Sequence, residues 1–257
     1  MSTRADVALV ERGLVRSRTL ARRLIEAGAV LTDGPGGEVP VTRAAQPIFP
    51  DQALRVLESE TTRFVSRGGN KLDAALQAAG IDCTGLDALD VGMSTGGFTH
   101  CLLARGARQV LGIEVGHGQL DPVLAADPRV HCLEHTHIRD VHLADLRLPD
   151  GSAPAQGFAL IVVDLSFIAA SHLLDKLATL AAPGGRLTCL IKPQFELGPQ
   201  ARNRQGIVRA DADLDGLRRD VIQRAEDAGW QVNDWQRCAL VGGDGNQEYF
   251  LIATRRP

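Results

Sequence analysis

Leu89-Asp90-Val91-Gly92-Met93-Ser94-Thr95-Gly96-Gly97 is the stretch on which the fold turns. The residues leading into it, Leu86-Asp87-Ala88-Leu89-Asp90-Val91, form an apolar run of strand length, which predicts a buried strand. Glycines and hydroxyls then break the run, and Phe98-Thr99-His100-Cys101-Leu102-Leu103-Ala104-Arg105 reads as a helix. Strand, glycine loop and helix make the first unit of a nucleotide-binding α/β fold. Glycine lets the backbone approach a ligand closely, and a helix start offers free N–H groups. A second strand, Gln109-Val110-Leu111-Gly112-Ile113, runs into Glu114, about 24 residues after Asp90 and near the ~20-residue spacing of a ribose-binding carboxylate. By themselves the glycines would also suit a tight turn in any α/β protein.

Downstream, the same alternation continues. Pro128 to Glu134 is a candidate third strand, leaving through His135-Thr136-His137-Ile138-Arg139-Asp140. Phe158 to Val163 reads as a buried parallel strand that runs into Asp164. A helix is expected over 168–181, then a strand from Arg186 ending at Lys192. Residues 196–210 form a polar loop with Arg202, Arg204 and Arg209. A helix over 213–229, a strand over 230–240 and a last strand over 246–254, with Glu248 near its start, complete the pattern. Ligands of open α/β sheets bind beyond the carboxyl ends of the parallel strands. Asp90, Glu114, Asp164 and Lys192 all fall near such ends. The loop lacks the Gly-Lys-Ser/Thr ending of a phosphate loop and the tight Gly-x-Gly-x-x-Gly of dinucleotide folds. A glycine loop with a ribose carboxylate and no phosphate lysine suits S-adenosylmethionine, which carries a sulfonium and no phosphate. Four histidines between His131 and His142 lack the spacing and the partners of a metal site, so no metal is expected.

Composition sets the outer bounds. The 257 residues accommodate one large domain, or one medium and one small domain. A net charge of −3 excludes a chain basic all over and leaves room for a local basic face. The five scattered cysteines read as reduced thiols of a cytoplasmic protein. The N-terminus has no apolar signal-peptide core, and no run approaches the roughly 20 apolar residues of a membrane span. Of 28 basic residues only Lys71, Lys176 and Lys192 are lysine. Lysine can be tuned to lose its proton and arginine essentially cannot, so Lys71 and Lys192 stand out. Lys176 sits in an ordinary amphipathic helix.

Residues 1–60 read as a small α+β unit, 61–66 as a linker and 67–257 as the α/β domain. Asp6 is a plausible cap for a first helix, and Leu20, Leu24 and Ile25 form the apolar stripe of a second. Arg12, Arg16, Arg18, Arg22 and Arg23 crowd this region without an intervening acid, where a merely solvated face would carry both signs. Contact with RNA phosphates is the expectation, with Arg4 and Arg67 as further candidates. In the first turn of the next helix Lys71 opposes the helix dipole, which points to a functional role.

Two resemblances sharpen this reading. Arg4 to Gly13, Ser17-Arg18, Ala21 to Gly28, Val30 and Asp33-Gly34 resemble the αL RNA-binding module, the S4 domain of ribosomal protein S4, pseudouridine synthases and tyrosyl-tRNA synthetases. The whole chain resembles the TlyA (hemolysin A) family of 2′-O-ribose rRNA methyltransferases, whose catalytic domain is FtsJ/RrmJ-like. The stretches that carry it are Val65 to Leu72, Asp90 to Thr99, Val115 to Leu120, Asp127 to Val130, Val163 to Ile168, Ile191 to Glu196 and Gly245 to Leu251. The resemblance implies a Rossmann-like, seven-stranded sheet with an antiparallel last strand, an S4-like domain before it, and S-adenosylmethionine as cofactor. It implies a catalytic tetrad at Lys71, Asp164, Lys192 and Glu248. Cofactor contacts would come from Asp90, Gly92, Ser94, Thr95, Gly96, Gly97, Phe98, Glu114, Val115, His137, Ile138 and Asp164. In the implied chemistry Lys192 takes the proton of a ribose 2′-hydroxyl while its neighbours orient it. The implied partner is rRNA within ribosomal subunits. Because the chain stops soon after its last strand, like the shorter members, large-subunit cytidine is favoured over the small subunit.

Met93, Glu114, His100, His117, His137 and Phe64 depart from the usual family residues. They keep open the alternative of a non-catalytic RNA-binding or ribosome-assembly factor on the same fold. A membrane-lytic role fails for want of a spanning or long cationic amphipathic segment.

Overall fold

The computed structural model describes residues 2–15, 17–34, 36–57 and 63–257, and the chain divides into two compact units, Met1–Arg63 and Phe64–Pro257. The first holds β1 (Thr3–Arg4), α1 (Ala5–Glu11), α2 (Arg18–Glu26), β2 (Val30–Gly34), β3 (Gly37–Pro40), β4 (Pro47–Ile48) and β5 (Leu54–Val56). β2 is central in an antiparallel β3-β2-β5 sheet, and β1 pairs with β4. Leu9, Leu24, Ile25, Val30, Val41 and Ile48 fill its core. Ser17 caps α2 by accepting a hydrogen bond from Leu20 N, leaving Leu24 and Ile25 facing inward. Asp6 does not cap α1. It lies inside the first turn, fully buried, and the capping position falls to Arg4, which makes no side-chain cap.

The second unit runs α3 (Arg67–Ala78), β6 (Asp87–Val91), α4 (Gly97–Ala104), β7 (Gln109–Ile113), α5 (Pro122–Ala125), β8 (Val130–Leu133), β9 (Phe158–Val163), α6 (Leu174–Ala178), β10 (Ala181–Ile191), α7 (Pro193–Glu196), α8 (Leu214–Asp227), β11 (Trp230–Arg237) and β12 (Tyr249–Arg255). Its seven-stranded sheet has the order β11-β12-β10-β9-β6-β7-β8. Neighbours from β10 through β9, β6 and β7 to β8 are parallel, whereas β12 is antiparallel to both β10 and β11. The seven strands and the reversed last strand are those the sequence predicts.

Alternation within the strands divides the core. Leu89, Val91, Leu111, Ile113, Ile161 and Val163 face one side with Leu174, Leu177, Leu217 and Val221. Ala88, Val110, Leu160 and Val162 face the other with Leu72, Leu76 and Leu102. A parallel sheet covered on both faces needs such continuously apolar strands. At the joint expected over 61–66, residues 61 and 62 lie outside the described residues. Phe64 and Val65 are buried in the second unit, where Val65 N donates to His100 Nδ1 at 3.1 Å.

Some boundaries differ from expectation. The helix expected over 168–181 is a 3₁₀ turn, Ala170–Leu173, followed by the short α6. Phe158 N already donates to Leu180 O at 2.8 Å, so the sheet claims the chain there. β10 accordingly begins at Ala181 and is irregular up to Arg186. β11 ends at Arg237 and β12 starts at Tyr249, because 238–248 folds back on itself. Cys238 N donates to Glu248 O at 2.9 Å, and Gly242 N to Asn246 O at 2.7 Å.

Candidate active site

β6 ends at Val91, and the loop that follows turns sharply at Gly92, with φ of 87°. A Cβ there would lie 2.3 Å from the backbone oxygen of Asp164, so only glycine lets the loop cross the end of β9. Met93 is buried, and it fits because β7 carries Gly112 opposite: a Cβ on Gly112 would come within 2.1 Å of Met93 Cε. Asp90 lies beneath the loop, wholly buried, and accepts a 2.7 Å hydrogen bond from Thr99 Oγ1. Its Oδ1 has no partner among the described residues. Burial pushes its carboxyl up to about 7, against the Thr99 hydrogen bond.

Two cavities meet at this loop. The larger, about 540 Å³, is walled by Val91, Ile113, Val115, Ile138, Leu165 and Ile168, with Glu114 and His137 among its polar groups. Glu114 is nearly buried and receives Ser94 N at 2.9 Å on one oxygen and Gly116 N at 2.8 Å on the other. His137 Nδ1 accepts from Arg139 N at 3.1 Å, capping a 3₁₀ turn. The smaller cavity, about 160 Å³, is lined by Lys71, Lys192, Met93, Thr95, Gly97 and Phe98, among others. Gly92, Ser94, Asp164 and Ser166 line both. Thr95, Gly97 and Phe98, expected around the cofactor, thus line only the smaller cavity. Asp90 and Gly96 line neither: Asp90 is underneath, and Gly96 takes the left-handed turn that starts α4.

The four tetrad positions form two ion pairs. Lys71 Nζ donates to Glu248 Oε2 at 2.5 Å, with side chains 9% and 4% exposed. Lys192 Nζ lies 2.6 Å from Asp164 Oδ1 and donates to Ser166 Oγ at 3.1 Å. Lys71 is delivered by the first turns of α3, Asp164 by the end of β9 and Lys192 by the end of β10. Glu248 stands just before β12, whose reversed direction brings its start to this edge of the sheet. Sequence reasoning did not single out Ser166 or Gln119, which accepts from Ser94 Oγ at 3.1 Å. It also passed over Phe167, 91% exposed with φ of 67° and tilted against Phe195. The signal available for Ser166 and Phe167 was their place directly after the apolar strand that leads into Asp164.

The other singled-out side chains are mostly engaged. His117 stacks on His135, and His100 packs edge-on against Phe64. Arg4, Arg18 and Arg22 all pair with Asp6. Arg12 donates to the carbonyls of Gln52 and Phe49 at 2.5 and 2.9 Å. Arg23 is exposed, and Arg16 lies outside the described residues. Arg67 belongs to the second unit and donates to Val241 O at 2.6 Å. Among the described residues no three His, Cys, Asp or Glu side chains converge as metal ligands, and no helix is long and apolar enough to cross a membrane.

Both units match known families. The profile of the family described as FtsJ-like methyltransferase matches residues 64–255, and that of the S4 domain matches residues 3–34. The chain is 40% identical over 253 residues to the 16S/23S rRNA (cytidine-2′-O)-methyltransferase TlyA of Mycobacterium tuberculosis, covering 96% of this chain and 88% of that protein. It is 29% identical over 254 residues to the 23S rRNA (cytidine-2′-O)-methyltransferase TlyA of Campylobacter jejuni, covering 94% and 95%. A solved structure from Streptococcus thermophilus that carries the name hemolysin superposes with a TM-score of 0.73 at 30% identity, covering 99% of this chain and 89% of that one.

Proposed function

This chain belongs to the FtsJ-like methyltransferase family, and from that premise we propose that it methylates the 2′-hydroxyl of a cytidine ribose in rRNA, with S-adenosylmethionine as donor. The observation that carries the reading is the pair of cavities joined at Gly92, Ser94 and Asp164. The larger has apolar walls and a carboxylate, as an adenosine requires. The smaller has two lysines and room for a ribose edge. The residues fit the donor. Each Glu114 oxygen takes only one backbone N–H, which leaves acceptor capacity for ribose hydroxyls. His137 and Ile138 would flank the adenine, and Gly92 to Ser94 the methionine end. When bound, S-adenosylmethionine supplies an electrophilic methyl group on a sulfonium.

The chain's own residues manage the proton. A ribose 2′-hydroxyl is a poor nucleophile until its proton is removed, and Lys192 is the base: it first gives the proton of its Asp164 ion pair to solvent and then takes that of the hydroxyl. Asp164 holds that nitrogen at 2.6 Å and stabilises the ammonium that forms. Ser166 gives Nζ a second fixed partner, so the amine meets the hydroxyl in one orientation. Lys71 lines the same cavity with Glu248 locked to it, and Glu248 would orient that lysine and, through it, the ribose. RNA seated over the smaller cavity would exclude water from all four.

We place the target in large-subunit rRNA, because both TlyA relatives are named for 23S rRNA. The enzyme would then work in the cytoplasm, on ribosomal subunits brought in by the S4 unit. Radiolabelled S-adenosylmethionine with purified large and small subunits, followed by nuclease mapping, tests this. Label on a large-subunit 2′-O-methylcytidine that disappears with Lys192→Ala supports reaction, substrate and base together. Label confined to a base atom, or undiminished in Lys192→Ala, overturns the mechanism.

A further inference from the structure

Several arginines of the first unit are held by other groups of the same unit. Three of them, from two elements, converge on one carboxylate. Arg4 Nε lies 2.9 Å from Asp6 Oδ1, Arg18 Nη2 lies 3.0 Å from Oδ2, and Arg22 Nε lies 3.1 Å from Oδ2. The Asp6 side chain is 0% exposed, whereas the arginine side chains are 48%, 52% and 51% exposed. We propose that Asp6 is a positioning residue, which sets Arg4, Arg18 and Arg22 as a ready-made guanidinium array for neighbouring phosphodiesters of RNA. This rests on the reading that rRNA is the substrate.

The charge balance supports a ligand. Three guanidinium groups around one carboxylate leave a surplus of two positive charges, turned towards solvent. The guanidinium groups, that of Arg4 foremost, hold the Asp6 carboxyl well below the usual carboxylate range, so the array persists across the physiological range. Each guanidinium has five N–H donors in a rigid fork, and Asp6 uses only one or two of each. The free edges match phosphate oxygens, which guanidinium groups bind in pairs.

A purely structural staple between α1 and α2 would need one such pair. Pairing keeps the buried Asp6 carboxylate from standing alone, and it also holds three long, half-exposed side chains in one place. That removes in advance the entropy that a polyanion would otherwise have to overcome on binding. Without the central carboxylate, three like charges at this spacing would drive each other apart.

The proposal makes a prediction opposite in sign to simple charge counting. Asp6→Asn removes a negative charge from an RNA-binding unit, so net charge alone predicts tighter binding. The array predicts weaker binding. The full chain is titrated with purified large ribosomal subunits across a salt series. The variants are Asp6→Asn, Arg22→Lys and a triple Arg4→Gln, Arg18→Gln, Arg22→Gln, with Glu26→Gln as a carboxylate-removal control. Expected results are about tenfold weaker binding for Asp6→Asn and a salt slope reduced by about one unit. Arg22→Lys keeps the charge and loses the fork, and should bind about threefold more weakly. Glu26→Gln should not weaken binding. KM for subunits rises in the array variants while turnover at saturation holds.

Hydrogen exchange across α1 and α2 shows whether Asp6→Asn leaves the helices intact, and Arg22→Lys carries the test if it does not. Asp6→Asn binding as tightly as the parent with protected helices overturns the proposal, as does a triple variant that binds normally. A parent chain that fails to bind subunits overturns the rRNA reading as well, which separates the two failures.

Discussion

Removing the Lys71 ammonium should cost the second unit much of its stability, and the size of the loss follows from the geometry. Its Nζ is 2.5 Å from Glu248 Oε2, and the two side chains are 9% and 4% exposed. Lys71→Met keeps most of the volume and deletes the charge, leaving a buried carboxylate without its cation. Breaking a buried pair from one side costs about 3–5 kcal/mol. Lys71 also lines the cavity of about 160 Å³, through which water can reach the orphaned group, so the lower figure applies. A loss of about 3 kcal/mol corresponds to roughly 6–12 °C in melting temperature for a unit of this size. Both tryptophans, Trp230 and Trp235, lie on β11 in the second unit, so their fluorescence during urea unfolding reads that unit alone. Adding Glu248→Leu removes the stranded charge and should restore most of the lost stability, while methyl transfer stays absent. A single variant within about 1 kcal/mol of the parent, or a double variant no more stable than the single, would refute the argument that this is a desolvated pair.

Other outcomes follow from the same coordinates. Lys192→Arg keeps the cation but cannot release a proton, so turnover should fall roughly 10²–10⁴-fold while binding of S-adenosylhomocysteine, read by calorimetry, is retained. Gly92→Ala places a Cβ 2.3 Å from the Asp164 carbonyl at a φ of 87°, and should both destabilise the unit by about 1–3 kcal/mol and weaken that binding. Unchanged affinity would show that the loop can relax away from β9. Asp90 provides a pH test. Its carboxyl is raised from 3.8 to about 7 in the fold, so between these values the folded state holds a proton that the unfolded chain has lost. Its contribution therefore declines as pH rises through that window, by a few kcal/mol at most. Asp90→Asn should lack the decline, and tryptophan-monitored unfolding at pH 5 and pH 8 compares the two.

The parts of the molecule that sequence showed best are those governed by local pattern. Phe158 to Val163 could hardly be anything but a covered strand, and its run into Asp164 placed a carboxylate at the ligand edge. The scarcity of lysine drew attention to Lys71 and Lys192, which the fold brings to one cavity from positions far apart in the chain. What stayed hidden depends on contacts made across the chain. Asp6 looked like a helix cap because its arginine partners Arg18 and Arg22 arrive 12 and 16 residues later on another helix. The helix before β10 read too long because a run rich in Leu and Ala suits either state, and pairing with β9 decided between them. The folded segment 238–248 read as strand on both sides because its turn bonds, such as Gly242 N to Asn246 O, leave no periodic trace.

The reversed strand β12 also sets the order in which the enzyme can come into being. It is the last strand of the chain, yet it occupies an interior place between β10 and β11. During synthesis β10 must therefore wait with one edge unpaired and β11 with both, exposed to wrong partners, until residues 249–255 emerge. Glu248 enters with that strand, so the buried partner of Lys71 arrives only after β10 and β11. On a nascent chain the Lys71–Glu248 pair therefore cannot close until β12 has been made, however far the earlier strands have folded.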